Sequence, residues 1–331
     1  MDDLNDFPDS WVELYNPTDA AINLKDYKIG IKNKVGKAWK LPNQTVSAHQ
    51  YVLIFCDKAG EDYGVSALHT NFRLESGKDG NIYLFKGDEV VDKLEKMAKQ
   101  PAPDIAYGRE TDGGDEWGYE LKPTPGEANQ GGVVTADKIL GAPVFSETGR
   151  VVIGSQDFML TLSVPEGSPE GTVIRYTTDG SEPIIKSKKY TSEIPVTSSM
   201  VIRAKLFCTG YLSPYSTVQS YIVHNQDMTM PIISIVIDDR YLNDPEIGIF
   251  ANNNSHNKSE QHDWRRPMNI ELFDAQEAAA KLNQLGETRI TGAWSREAEK
   301  KSMCQGIPIC SPPPVRNSGD GKFCGKYLPE N

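Results

Sequence analysis

The sequence predicts a mainly β chain: two double-layered sandwiches in tandem, a partial α+β region after them, and a disordered tail. Three observations carry that prediction. Apolar residues recur at the two-residue period of half-buried strands, as in Trp11-Val-Glu-Leu-Tyr15. The runs are short and punctuated by Pro, Gly, Asn and Asp at sandwich-like intervals. The composition agrees, since 331 residues with 38% hydrophobic and 24% charged residues suit two or three separately cored domains.

Taken in order, Trp11 to Tyr15 is a strand that Asn16-Pro17-Thr18-Asp19 ends, because Pro17 fixes φ and withholds a donor. Trp39-Lys-Leu-Pro42 and the apolar run Tyr51-Val-Leu-Ile-Phe-Cys56 follow as strands. Ser76-Gly-Lys-Asp-Gly80 is a hairpin turn leading into Ile82-Tyr-Leu-Phe85, and Val90-Val91 continues the meander. Pro123-Thr-Pro-Gly126 cannot enter a central strand and closes the first domain, 1–130. Residues 131–141 read as a linker with few apolar anchors, which favours independent motion of the two sandwiches.

The second β module, 142–224, rests on Phe158–Val164, Val173–Thr178 and Val201–Phe207. Asp179-Gly180 is a strong turn signal after a strand. Asp179 and Glu182 imitate a general acid/base pair, but a carboxylate in a turn ordinarily caps its own backbone.

Several of these motifs resemble known families. Ser10-Trp-Val-Glu-Leu-Tyr-Asn16, with Ile22-Asn-Leu24, Phe72, Leu74, Gly80 and Pro123–Asn129, resembles a bacterial lamin-tail domain, which implies an immunoglobulin-like sandwich over about the first 130 residues. That family begins with one more strand, so the resemblance implies that this strand is missing and that Met1 is an internal start. Tyr176-Thr-Thr-Asp-Gly-Ser-Glu-Pro183, with Tyr190, Ile202–Lys205 and Tyr221, resembles the chitobiase and β-hexosaminidase C-terminal type of domain, an accessory immunoglobulin-like module. Pro231–Val236, Gly248–Phe250, Trp264–Pro267 and Arg289-Ile-Thr-Gly-Ala-Trp-Ser-Arg296 resemble the opening of the CotH-type spore-coat kinases, over 228–302.

In that third region, Ala275–Leu285 is either a helix capped by Asp274, by propensity, or one arm of a hairpin, by the resemblance. From Met303 onward three consecutive prolines and several glycines forbid a regular element, so 303–331 reads as disordered.

A net charge of −11 argues against a partner held by phosphate contacts, and so against nucleic acid. No apolar run approaches a membrane span. Cys56 and Cys208 sit in apolar strand patterns and read as buried free thiols, while Cys304, Cys310 and Cys324 lack the close pair of a zinc site. His256 and His262 belong to a polar loop with no metal-ligand spacing, and no Ser/His/Asp set can be nominated.

No catalytic residue, metal site or cofactor is therefore expected. Trp39, Trp117 and Tyr119 are the ligand-contact candidates, because aromatics beside sandwich loops either stack on a sugar or dock a partner, or else pack in the core. Lys301 is the position the kinase resemblance would assign to a nucleotide contact. The reading that fits best is a non-catalytic modular fragment of a secreted or surface-attached bacterial protein, serving adhesion, binding or spacing, with a cell-surface protein or carbohydrate as partner. The alternatives are a fragment of a CotH-type kinase without its catalytic aspartates, and an accessory part of a carbohydrate-active enzyme.

Overall fold

The structure, a computed structural model, describes residues 10–56, 68–74, 80–102, 105–154, 158–225, 229–245, 248–250, 266–274, 278–291 and 302–306. Over these residues it is mainly β, with immunoglobulin-like sandwiches in tandem, as the sequence predicts.

In the first sandwich, one layer runs in the order Trp39–Lys40, Tyr27–Gly30, Ile82–Lys86, Glu89–Leu94, and the other in the order Trp11–Tyr15, Tyr51–Phe55, Leu68–His69. The alternation in Trp11–Tyr15 sends Val12 and Leu14 inward, where they pack with Val52, Ile54, Ile29, Leu24 and Trp39. That leaves Glu13 and Tyr15 on the outer face beside Tyr51.

A hairpin of Tyr107–Arg109 and Trp117–Glu120 is laid over that outer face. Tyr51 donates to Asp112 at 2.6 Å, and the Gly126 N–H donates to Glu13 at 2.6 Å. Gly126 has φ +79, as expected of the turn that closes the Pro123–Gly126 segment.

Residues 131–141 make backbone contacts at both ends. Val133–Val134 adds a strand to the hairpin. Leu140 is buried in the second core, and its N–H donates to the Leu212 carbonyl at 2.8 Å while the Leu212 N–H donates to the Lys138 carbonyl at 2.9 Å. Tyr119, Val134, Leu212 and Ile139 then close one apolar cluster across the two sandwiches. Two short apolar pairs, Val133-Val134 and Ile139-Leu140, suffice to anchor the strap.

In the second sandwich, one sheet runs in the order Arg150–Ile153, Ser216–His224, Met200–Phe207, Val173–Thr177, Lys188–Lys189. Its inner face supplies Ile174, Tyr176, Ile202, Ala204, Leu206 and Tyr221 to the core. Two short strand pairs, Val144–Phe145 with Leu162–Ser163 and Phe158–Leu160 with Ile194–Val196, stand opposite. Asp179 caps its own turn as expected, accepting from the Ser181 N–H at 3.0 Å and the Ser181 hydroxyl at 2.6 Å.

The third region is an antiparallel sheet of Ile232–Val236, Arg266–Phe273, Ala280–Thr291 and Ser302–Gly306. Residues 280–285 thus belong to a hairpin and not to a helix, because this stretch pairs with Arg266–Phe273 in a ladder that outweighs weak local propensity. Residues 303–306 also depart from the disordered tail, since Met303 to Gly306 pair with Glu287 to Ile290. The rest of that expected tail lies outside the described residues. Asp238 caps a short helix, Asp239–Asn243, by accepting from the Arg240 N–H.

Candidate functional site

The sequence nominates exposed aromatics, and the structure places them in three different settings. Trp39 is 7% exposed and belongs to the first core. Tyr119 is 5% exposed, and its hydroxyl donates to the Lys99 carbonyl at 2.7 Å. Trp117 is half-buried on the same hairpin face as Tyr107, whose ring stacks at 6.1 Å, and the Arg109 guanidinium lies 4.4 Å over the indole. Arg109 is fixed there by Asp92 at 2.8 Å and by the Gly114 carbonyl. Trp117 and Tyr119 therefore share one face while Trp39 is remote from them in the core, and Lys301 lies outside the described residues.

The opposite face of the hairpin carries chemistry that the sequence does not advertise. Glu120 turns toward Glu13 beneath it, and Gly108 makes room: a Cβ there would stand 1.9 Å from the Glu120 Oε1. Burial and the neighbouring Glu13 carboxylate push the Glu120 carboxyl up to about 7. Burial likewise raises Glu13, against the Gly126 N–H that favours its charged form, and Asp112 adds to the rise. Burial, with the hydrogen bond to Asp112, raises the Tyr51 phenol. The arrangement brings Glu13 and Glu120 together between two sheets, with Gly113 near Tyr15 and Pro17. Among the described residues no group of three His, Cys, Asp or Glu side chains is placed to hold a metal ion.

A second polar seam joins the second sandwich to the third sheet. Ser220 and Ser234 share a hydroxyl hydrogen bond at 2.8 Å, Asn283 donates to the Val218 carbonyl at 2.8 Å, and the Ser220 N–H donates to Glu271 at 3.1 Å. Beside this seam Glu182 holds Arg203 and, at 2.9 Å, Lys205, and it also accepts from the Ser216 hydroxyl at 3.1 Å. Glu182 is thus the hub of an ion cluster and not half of an acid/base pair. The third sheet also continues the sandwich at its border: the Val151 N–H donates to the Ala278 carbonyl at 2.8 Å, and the Ala280 N–H to the Gly149 carbonyl at 2.9 Å.

Comparison with known proteins agrees with the modular reading of both sandwiches. Two family models match the chain. Residues 2–97 match the lamin tail domain, and residues 152–220 match the chitobiase/beta-hexosaminidase C-terminal domain. A search of the curated proteins returned no match. The two resemblances read from Trp11–Asn16 and Tyr176–Pro183 accord with these matches, and neither match extends into the third sheet.

Of the thiols, Cys56 is buried, as expected, while Cys208 is only half-buried. No helix among the described residues is long and apolar enough to cross a membrane. Glu120 and Glu271 are the residues that sequence reasoning passed over. The signal for Glu120 was available in Tyr107-Gly-Arg109 opposite Trp117-Gly-Tyr-Glu120, where glycines mark close backbone approach.

Proposed function

We propose that this chain is a non-catalytic scaffold from a secreted or surface-attached bacterial protein, whose sandwiches space and support what they carry instead of turning over a substrate. The observation that carries this reading is the occupation of outer sheet faces by the chain itself. In the second sandwich, Val218 and Ser220, on the face away from the core, are 4% and 1% exposed, and the third sheet is bonded across them. A sheet face used for docking in this way is not open to a ligand. The likeness to an accessory domain of carbohydrate-active enzymes supports a supporting role more than a catalytic one. On this reading the chain divides into units at 1–130, 142–224 and 228–302, with 131–141 acting as a strap.

Small-angle scattering of the full chain tests the scaffold reading. A rigid spacer gives one particle length over a range of ionic strength, and a broad, salt-dependent distribution of lengths would sink it.

A second reading, carbohydrate contact, is favoured by one observation: Trp117 and Tyr107 form a stacked, half-exposed pair on the first sandwich. Titrating oligosaccharides to millimolar concentration against tryptophan fluorescence tests it, and an unchanged spectrum rejects it. The kinase-fragment alternative is tested by calorimetry with ATP and magnesium, where heat lost on Lys301→Ala would support it and an absence of binding would end it.

A further inference from the structure

Glu271 is the most deeply placed carboxyl among the described residues, at 0% exposure, and it stands where the third sheet meets the second sandwich. Oε1 accepts from the Ser220 N–H at 3.1 Å and from the Asn283 side chain at 3.1 Å, so one carboxyl ties together strands from both sheets. Oε2 is buried and has no hydrogen-bond partner among the described residues. Gly149 presses from the border of the sandwich, where a Cβ would come within 2.3 Å of Oε1. A carboxylate held like this needs a counter-ion.

The charged groups around it are engaged elsewhere. Arg150 is held by Glu147 at 3.4 Å and lies over the Phe158 ring. Arg203 and Lys205, on the sandwich sheet, are both held by Glu182. Lys281, on the strand that also carries Asn283, is held by Asp274 at 2.5 Å. Arg266, on the strand of Glu271 itself, falls on the opposite face of the sheet by its position and lies 6.0 Å from the Tyr241 ring. Tyr221, which feels Glu271 as a neighbouring charge, is a phenol donating to the Glu147 carbonyl at 2.8 Å. No ion pair to Glu271 exists among the described residues.

We propose that Glu271 is a proton-operated latch: while it carries its proton the third sheet stays docked on the second sandwich, and ionisation without a counter-ion releases the seam. Burial raises this carboxyl above the ordinary range, and the Ser220 N–H only partly offsets that. A raised folded-state value means that docking is strongest in acid. It weakens as pH climbs from the ordinary carboxylate range toward the raised value.

The test is hydrogen–deuterium exchange of the full chain at pH 5 and pH 8, with rates corrected for intrinsic chemistry and read on the peptides spanning Ser216–His224 and Ile232–Val236. Protection in the native sequence should fall about tenfold or more at the higher pH. Glu271→Gln should remove that fall, whereas Glu120→Gln, which alters a half-buried carboxyl of the first sandwich, should leave it in place. Equal protection of the native chain at both pH values overturns the latch without recourse to any variant, and so does a fall that persists in Glu271→Gln.

Discussion

The hairpin seam on the first sandwich and the sheet seam on the second both bury acid, yet they manage charge differently. In the first, Glu13 and Glu120 lie near each other and are only partly screened from water, so one can hold a proton while the other accepts the Gly126 N–H. In the second, Glu271 stands without another carboxylate beside it, fully covered, with one oxygen unsatisfied among the described residues. Pairing lets charge be shared at the border of a domain, while isolation makes a whole contact depend on one proton. The same polar residue type can therefore be a local adjustment in one seam and a condition for assembly in the other.

The contrast can be broken most severely at the glycines beneath each carboxyl. Gly149→Ala would drive a methyl toward the backbone carbonyl of Ser220 at 3.0 Å as well as toward Glu271, both of them buried. A loss of about 2–3 kcal/mol is expected by chemical denaturation, the usual scale of overpacking. Gly108→Ala meets chiefly the flexible end of Glu120, which can swing to solvent, so its cost should stay below about 1 kcal/mol. Equal losses would show that the two seams are alike.

The next effect is in the pH profile of the first seam. Because the folded Glu120 value of about 7 exceeds the unfolded 4.5, the folded state keeps a proton that the unfolded chain has released. Stability should therefore be highest below the unfolded value, fall as pH rises between the two, and level off above the folded one. After allowance for partial exposure the fall is about 1–2 kcal/mol. Glu120→Gln should flatten it in urea titrations at pH 5 and pH 8.

Smaller still is Glu182→Gln, which strands Arg203 and Lys205 in a half-buried setting and should cost about 1 kcal/mol, with less effect at high salt. Smallest is Arg109→Ala. It uncovers the Trp117 indole, worth about 0.5–1 kcal/mol as a cation–π contact, and should raise quenching of tryptophan emission by acrylamide. Unchanged quenching would mean that the guanidinium does not shield the ring.

Much of the fold was legible because its strands obey period two and its turns use specific chemistry. Trp11–Tyr15 and Tyr51–Phe55 pair in the register that their alternation demands, and Gly180 takes a left-handed φ of +81 after Asp179. Contacts between distant segments were not legible. In Arg266–Phe273 the apolar positions Ile270 and Leu272 alternate with Asn269 and Glu271, a pattern that assigns the polar pair to solvent. The structure reverses this, leaving Asn269 5% and Glu271 0% exposed, because the second sandwich covers that face. Trp39 was hidden for a similar reason: its two-residue strand is too short to reveal which side faces the core. Between the two readings left open for 275–285, residues 280–285 follow the hairpin, since helix preference is local and small beside a ladder of backbone bonds.

The short backbone graft of Ala278–Ala280 along Gly149–Val151 has a practical corollary. Cutting the polypeptide just after His224 would strip that cover and leave Arg150–Ile153 as a raw sheet margin, with Ile153 already 45% exposed beside it. Molecules shortened there should stick to one another flank to flank, so anyone wanting the second sandwich as a soluble reagent should keep the sequence through Thr291 attached.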